Sequence, residues 1–275
     1  MKAIISRVLV GVGTCSLIAS PTWALEPRII SASFFEPNLF PQSGPMLNTA
    51  IAGVDQFFHG GPADVRVREW NQLQGATGTE LDLVDSLGFI TTVDVRWIAT
   101  DISSNNYTDE IINGDSMMMN GHLFSSTLGF TGLATVTVTN LASSIDIGSG
   151  YEVWVYADAE GTGQRQSLFV DDGVQVGMPI TIEDTVSDLG GTRPFDFVSD
   201  YDEATTDGLG TWVRFTGLTG PTFTIEARSI NPDESAYING FQIIGDPIVI
   251  VPEPTTLLLT IVLSTIVAIS RRRRG

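Results

Sequence analysis

A two-residue rhythm constrains this chain more than any other feature. In TFTIEARS (222–229), Phe223, Ile225 and Ala227 alternate with Thr224, Glu226 and Arg228. An extended backbone puts the first three on one face and the second three on the other, so one face is core and the other meets water. The alternation recurs in ITTVDVRWIA (90–99), TVTVTNL (135–141), YEVWVYAD (151–158), MPITIED (178–184), FDFVSD (195–200), TWVRFTGL (211–218) and AYINGFQII (236–244). QSLFVDDGVQVG (166–177) reads as a hairpin turning at Asp171-Asp172-Gly173. Gly, Asp, Asn and Ser punctuate the intervals, and no dozen-residue stretch carries the apolar spacing of an amphipathic helix. About ten short strands of this kind predict an all-β, antiparallel two-sheet sandwich. Residues 31–60, irregular and rich in proline, read as a loop layer or lead-in. No clean linker precedes Asp246-Pro247, so residues 25–247 read as one domain.

Charge narrows the partners. The chain has 14 basic and 32 acidic residues, a formal −18. Between residues 25 and 251 the balance is eight basic to 31 acidic, a formal −23, and there is no lysine. Phosphate recognition needs Lys and Arg, so nucleic acid is excluded as a partner. The field suits solubility, salt or cations. Cys15 is the only cysteine and lies in the N-terminal apolar stretch, so the body has no disulfide and depends on packing.

Both ends read as address labels. Lys2 and Arg7 precede an apolar stretch at 8–20, Pro21 breaks it, and Thr22-Trp23-Ala24 offers small residues where a signal peptidase needs them. Residues 1–24 read as a secretory signal peptide cleaved between Ala24 and Leu25. At the other end, residues 255–270 would form a helix about 24 Å long, just able to span a bilayer core of about 30 Å. Arg271, Arg272, Arg273 and Arg274 hold that end in the cytoplasm. Pro252-Glu253-Pro254 stays extended just outside the predicted transmembrane helix.

The order VPEP, apolar run, RRRR resembles the PEP-CTERM sorting signal, here covering residues 248–275. Membership implies recognition by a membrane exosortase, processing near Pro252-Glu253-Pro254, and delivery to the cell surface or extracellular matrix, with extracellular polysaccharide as a partner. A plain single-pass anchor is the alternative. Over residues 70–244, WNQL, DSMMMNGHLF, GYEVWVYAD and FTIEARSINPDESAYINGFQII resemble the jelly-roll body common among such proteins, and more distantly galactose-binding-like and malectin-like modules. The resemblance implies a jelly-roll sandwich and carries no site residues.

Several features invite chemistry. Gly114-Asp115-Ser116 resembles the nucleophile motif of SGNH hydrolases, but polar NYTDEI precedes it and the only histidines, His59 and His122, are far from the C-terminus where that family places its base. Without a Cys/His cluster, zinc is not expected. Calcium, the one cofactor considered, would need acidic turns; Asp158 with Glu160, and Asp171 with Asp172, are the candidate metal ligands, and Asp200, Asp202 and Glu203 form another cluster. For carbohydrate, Trp154 and Tyr156 would be exposed if Val153 and Val155 are core, with Arg165 on a polar rim, making those three the candidate ligand surface. The reading is therefore a secreted, non-catalytic surface protein of structural or adhesive role, with weak carbohydrate or calcium binding as a candidate property. The alternative is an extracellular hydrolase acting on polysaccharide or esters, using paired acids in a cleft.

Overall fold

A computed structural model describes residues 26–35, 70–104, 121–125, 132–157, 165–175, 177–183, 203–204, 208–231 and 234–248. Among them lie fifteen strands: β1 Arg28–Phe35, β2 Asn71–Gln74, β3 Thr77–Glu80, β4 Asp94–Ile98, β5 Asp101–Ser104, β6 Gly121–Ser125, β7 Leu133–Thr139, β8 Tyr151–Tyr156, β9 Arg165–Asp171, β10 Ile180–Glu183, β11 Gly208–Leu209, β12 Trp212–Leu218, β13 Phe223–Ser229, β14 Ala236–Ile238 and β15 Gly240–Gly245. The class is all-β, and among the described residues the only helical element is a 3-10 turn, Leu141–Ser143.

Two sheets face each other across one core. The first has the order β12-β8-β15-β1-β2, the second β11-β10-β9-β13-β7-β4-β3, and a small third sheet, β14-β6-β5, pairs separately. Cross-strand register explains the core directly. Ile30 pairs with Ile243, Ala32 with Phe241, Phe241 with Val155, and Val155 with Val213, so all six lie on one face of the first sheet. From the second sheet, Val136 and Val138 of β7, Ile225 and Phe223 of β13, and Leu168 and Val170 of β9 meet them. All of these side chains are buried, and each Val, Leu, Ile or Phe among them is worth about 1.5–3 kcal/mol relative to exposure. The alternation expected in 222–229 holds: Phe223, Ile225 and Ala227 are core, while Thr224, Glu226 and Arg228 are not.

Three expectations need correction. Residues 31–35 are not a lead-in: they belong to β1, which lies between β15 and β2 inside the first sheet. RIISASFF alternates like the other strands, but the proline-rich stretch after it obscured the pattern. The run 236–244 is not one strand. The backbone breaks at Asn239, whose N–H donates to Tyr156 O and whose C=O accepts from Phe34 N–H, so β14 joins the small sheet and β15 the large one. The sheets are also not wholly antiparallel, because β2 runs parallel to β1 and β11 parallel to β10, each at a sheet edge.

The expected hairpin is present in altered form: β9 runs through Asp171, the turn falls at 172–175, where Asp172 N–H donates to Gln175 O, and the antiparallel partner of β9 is β10 at 180–183. Gly173 has φ +75°, a conformation that costs glycine little. FDFVSD, residues 1–24, Leu25 and the sorting tail from residue 249 onward lie outside the described residues. Among the described residues no helix is long and apolar enough to cross a membrane.

Candidate functional site

The expected ligand surface began with Trp154 and Tyr156, and their strand puts them on the outer face of the first sheet. Two rows cross that face. Ser31 pairs with Gln242, Gln242 with Trp154, and Trp154 with Arg214; beside it run Ser33, Gly240, Tyr156 and Trp212. Register therefore brings residues from four strands into one layer. Trp154 and Trp212 stack with ring centroids 4.5 Å apart and planes at 17°. The Arg214 guanidinium lies 5.7 Å from the Trp154 ring centre and pairs with Glu203 at 3.3 Å. Trp154 donates through Nε1 to Glu152 at 2.9 Å.

Deeper in the layer a polar chain runs across three strands. Tyr156 OH donates to Gln242 Oε1, and Gln242 Nε2 donates to Ser31 Oγ at 3.1 Å. Trp70 meets Tyr156 edge-on at 6.1 Å. The indole N–H groups of Trp70 and Trp212 are buried and meet no hydrogen-bond acceptor among the described residues.

This layer is not the open platform that alternation predicted. Trp154 is 3% exposed and Tyr156 is 0%. A sugar stacks on a ring whose face meets water, and these faces meet protein. The valines are core as expected; the inference from them failed because this strand is apolar on both sides. Nor does Arg165 join the two aromatics. It begins β9 in the other sheet and pairs with Glu183 at 3.5 Å. The structure therefore does not bring Trp154, Tyr156 and Arg165 together.

The acidic turn is also committed elsewhere. Asp172 is buried, and its carboxylate accepts four backbone N–H bonds: Oδ1 from Val174 (2.9 Å) and Gln175 (2.6 Å), Oδ2 from Thr219 (2.8 Å) and Gly220 (2.9 Å). Burial alone would raise its pKa, but those donors outweigh burial and hold it below the ordinary carboxylate value. Gly220 sits so close that a Cβ there would strike the Asp172 backbone. With both oxygens engaged, Asp172 is a clamp between the β9–β10 turn and the β12–β13 connection, not a free metal ligand. Asp171 Oδ1 accepts Gly173 N–H at 2.8 Å. Asp158 and Glu160 lie outside the described residues, as do Asp200 and Asp202. Among the described residues no three His, Cys, Asp or Glu side chains group to hold a metal.

His122, on β6, is buried against Tyr237 (ring centres 5.1 Å apart) and Phe124 (6.4 Å). Burial pushes its pKa down to about 3, so it is neutral near pH 7, and Nδ1 has no hydrogen-bond partner among the described residues. Gly114-Asp115-Ser116 and His59 lie outside the described residues. No protein-family model matches the chain, and no curated protein matches it at a significant level.

Sequence reasoning missed the buried clamp and the outer aromatic layer. A signal for the layer was present: YEVWVYA is apolar at nearly every position rather than at every second one, which is how a strand covered on both faces reads.

Proposed function

We propose that this is an exported envelope protein, sorted by an exosortase, whose body is a non-catalytic jelly-roll sandwich with a structural or adhesive role at the cell surface. The observation that carries this reading is the ordered tail: Pro252-Glu253-Pro254, the apolar run 255–270, then Arg271, Arg272, Arg273 and Arg274, in a chain that also opens with a signal-peptide pattern. The jelly-roll part draws support from the path of the chain. β7, β8, β9, β12, β13 and β15 fall alternately in the second and first sheets.

The structural role draws support from the outer face of the second sheet. Arg96, Thr137, Thr224 and Asp171 form one row across it, and Thr135, Glu226 and Phe169 form part of the next. Among the described residues that face is mostly polar, with Phe169 and Ile98 as its apolar members, and its rows place no two acids directly opposite each other. It suits broad, weak contact with a hydrated polymer better than hydrolysis.

Mass spectrometry of the surface-attached protein tests the proposal. The expected product begins at Leu25 and ends near Pro252-Glu253-Pro254. A surface form that retains Arg271, Arg272, Arg273 and Arg274 refutes exosortase processing and leaves a plain anchor.

A further inference from the structure

One end of the sandwich carries a hairpin whose base is anchored in the core and whose tip turns apolar side chains to solvent. Residues 83–93 leave and rejoin the body as a short excursion, with Leu83, Asp85 and Val93 fully buried at its base. Leu83 N–H donates to Val93 O, Thr91 N–H to Leu83 O, and Val84 bridges Ile90. Asn71 clamps one arm, accepting Val84 N–H and donating to Val84 O and Ser31 O. At the tip, Asp85 Oδ1 accepts the N–H groups of Leu87 (3.0 Å) and Phe89 (2.9 Å), while Oδ2 lies 2.9 Å from Arg28 Nε. Gly88, at φ +82°, completes the turn with open space around it. This well-bonded tip points apolar side chains outward: Leu87 is 71% exposed, Phe89 60% and Ile90 77%. A loose loop could fold such side chains back; this one is held open.

The same end carries the chain's two described termini. Arg28 pairs with Gly245, Ser86 N–H donates to Ile29 O, and Ile145 bridges Pro247. Asp172 ties the turn at 172–175 to Thr219 and Gly220, next to Leu218, which pairs with Tyr151 beside Gly245. That turn presents Val174, also well exposed. After Ile248, only six residues (249–254) precede the apolar run that begins at Thr255. Fully extended, they reach about 20 Å. A run held in a bilayer therefore keeps this end near the headgroups, where tethering makes even a weak apolar contact populated.

We infer that the 86–90 tip, with Leu87, Phe89 and Ile90, inserts into the interface of the bilayer that holds the tail, so that the body sits on the membrane with this end down. The inference rests on the membrane-tail reading proposed above. Asp82, Asp146 and Asp246 lie at the same end and favour a zwitterionic over an anionic surface.

The test uses the full chain with Cys15→Ser, reconstituted in phosphatidylcholine vesicles, with a single environment-sensitive label at Phe89→Cys or, at the opposite end, Leu133→Cys. The expected result is a blue-shifted label at 89, quenched several-fold more strongly by spin-labelled lipid than the label at 133. Adding Leu87→Ser and Ile90→Ser should weaken that quenching, and so should replacing part of the phosphatidylcholine with phosphatidylglycerol. If the chain floats with the vesicles and resists alkaline extraction, yet both labels quench alike, the inference fails while the tail reading stands. If the chain does not stay with the vesicles, both fail. A label at 89 that is shielded from aqueous iodide but unreached by the lipid quencher indicates a protein contact and also overturns the bilayer assignment.

Discussion

The two large sheets share one core but treat their far sides in opposite ways. On the second sheet, the outer rows hold threonine, Glu226, Arg228 and Arg96, half-buried or exposed, with Thr137 Oγ1 and Thr224 Oγ1 3.3 Å apart. On the first, the corresponding rows hold Trp154, Trp212, Tyr156, Gln242 and Ser31, all buried. Both sheets alternate in sequence. What differs is the second letter of the alternation: mostly polar on the second sheet, where Phe169 and Ile98 are exceptions, and rich in buried aromatics on the first, where Arg214 reaches solvent. Alternation identifies which residues share a face, and the chemistry of the second set decides whether that face is wet.

The largest expected effect tests this contrast directly. Trp212→Ala removes a ring stacked on Trp154 and tilted against Tyr156. The loss is about 3–5 kcal/mol, as for other buried aromatic truncations. Chemical denaturation followed by circular dichroism measures it. A loss near zero would mean that the layer is not packed as described and that the two outer faces are alike.

Next comes the place where the sheets are tied together. Asp172→Ala leaves four backbone N–H groups without their acceptor, and a loss of about 3 kcal/mol is expected. The sign with pH follows from the lowered pKa. The folded chain holds the carboxylate ionised where the unfolded chain would begin to protonate it. The clamp is therefore fully present above the ordinary carboxylate value of 3.8 and is lost as the pH falls through the lower folded value. Acid titration of unfolding free energy in the native and Asp172→Asn chains measures this, and the variant should lose less below that point.

Much of this architecture is readable in the amino-acid sequence, and the failures have physical causes. Phe223, Ile225 and Ala227 were legible because their neighbours Thr224, Glu226 and Arg228 are polar, so one face was unambiguous. The turn at Asp171-Asp172-Gly173 was legible because Gly173 adopts positive φ. Trp154 and Tyr156 were placed on the correct face but in the wrong medium, since a periodicity of two cannot report what lies beyond the sheet. Asp172 looked like a metal ligand because acids near glycine resemble calcium turns; that its acceptors would be filled by Thr219 and Gly220, some 47 residues along the chain, is a tertiary fact. The switch at Asn239 was hidden for a related reason, since a change of sheet leaves the two-residue pattern intact.

The small sheet offers a third environment. His122 is buried there with a pKa near 3, below the 6.5 it has when unfolded. The unfolded chain thus takes up the proton first. His122 contributes fully above about pH 6.5, and stability falls by about 1.4 kcal/mol per pH unit as the pH drops from there toward 3. In His122→Leu, unfolding free energies between pH 6 and 4.5 should show a flatter slope. An unchanged slope would place the proton uptake elsewhere. A smaller effect is expected from Tyr156→Phe, which removes one donor from the Tyr156–Gln242 pair and costs about 1–2 kcal/mol.

The smallest effect completes the contrast, and it is the most discriminating because the first sheet supplies its matched control. Thr137 and Thr224 face each other across β7 and β13 on the outer face, and each backbone is already held by its ladder. Their hydroxyls can exchange each other for water at little cost, so Thr137→Ala should change stability by about 0.5 kcal/mol or less. Trp154 occupies the equivalent kind of position on β8, outward of the same core and in a central strand. If Thr137→Ala is as damaging as Trp212→Ala, the outer face of the second sheet is covered too, and the polar surface assigned to contact with a hydrated polymer does not exist. If it is neutral, that face is available to solvent and partners, and only the first sheet is committed on both sides.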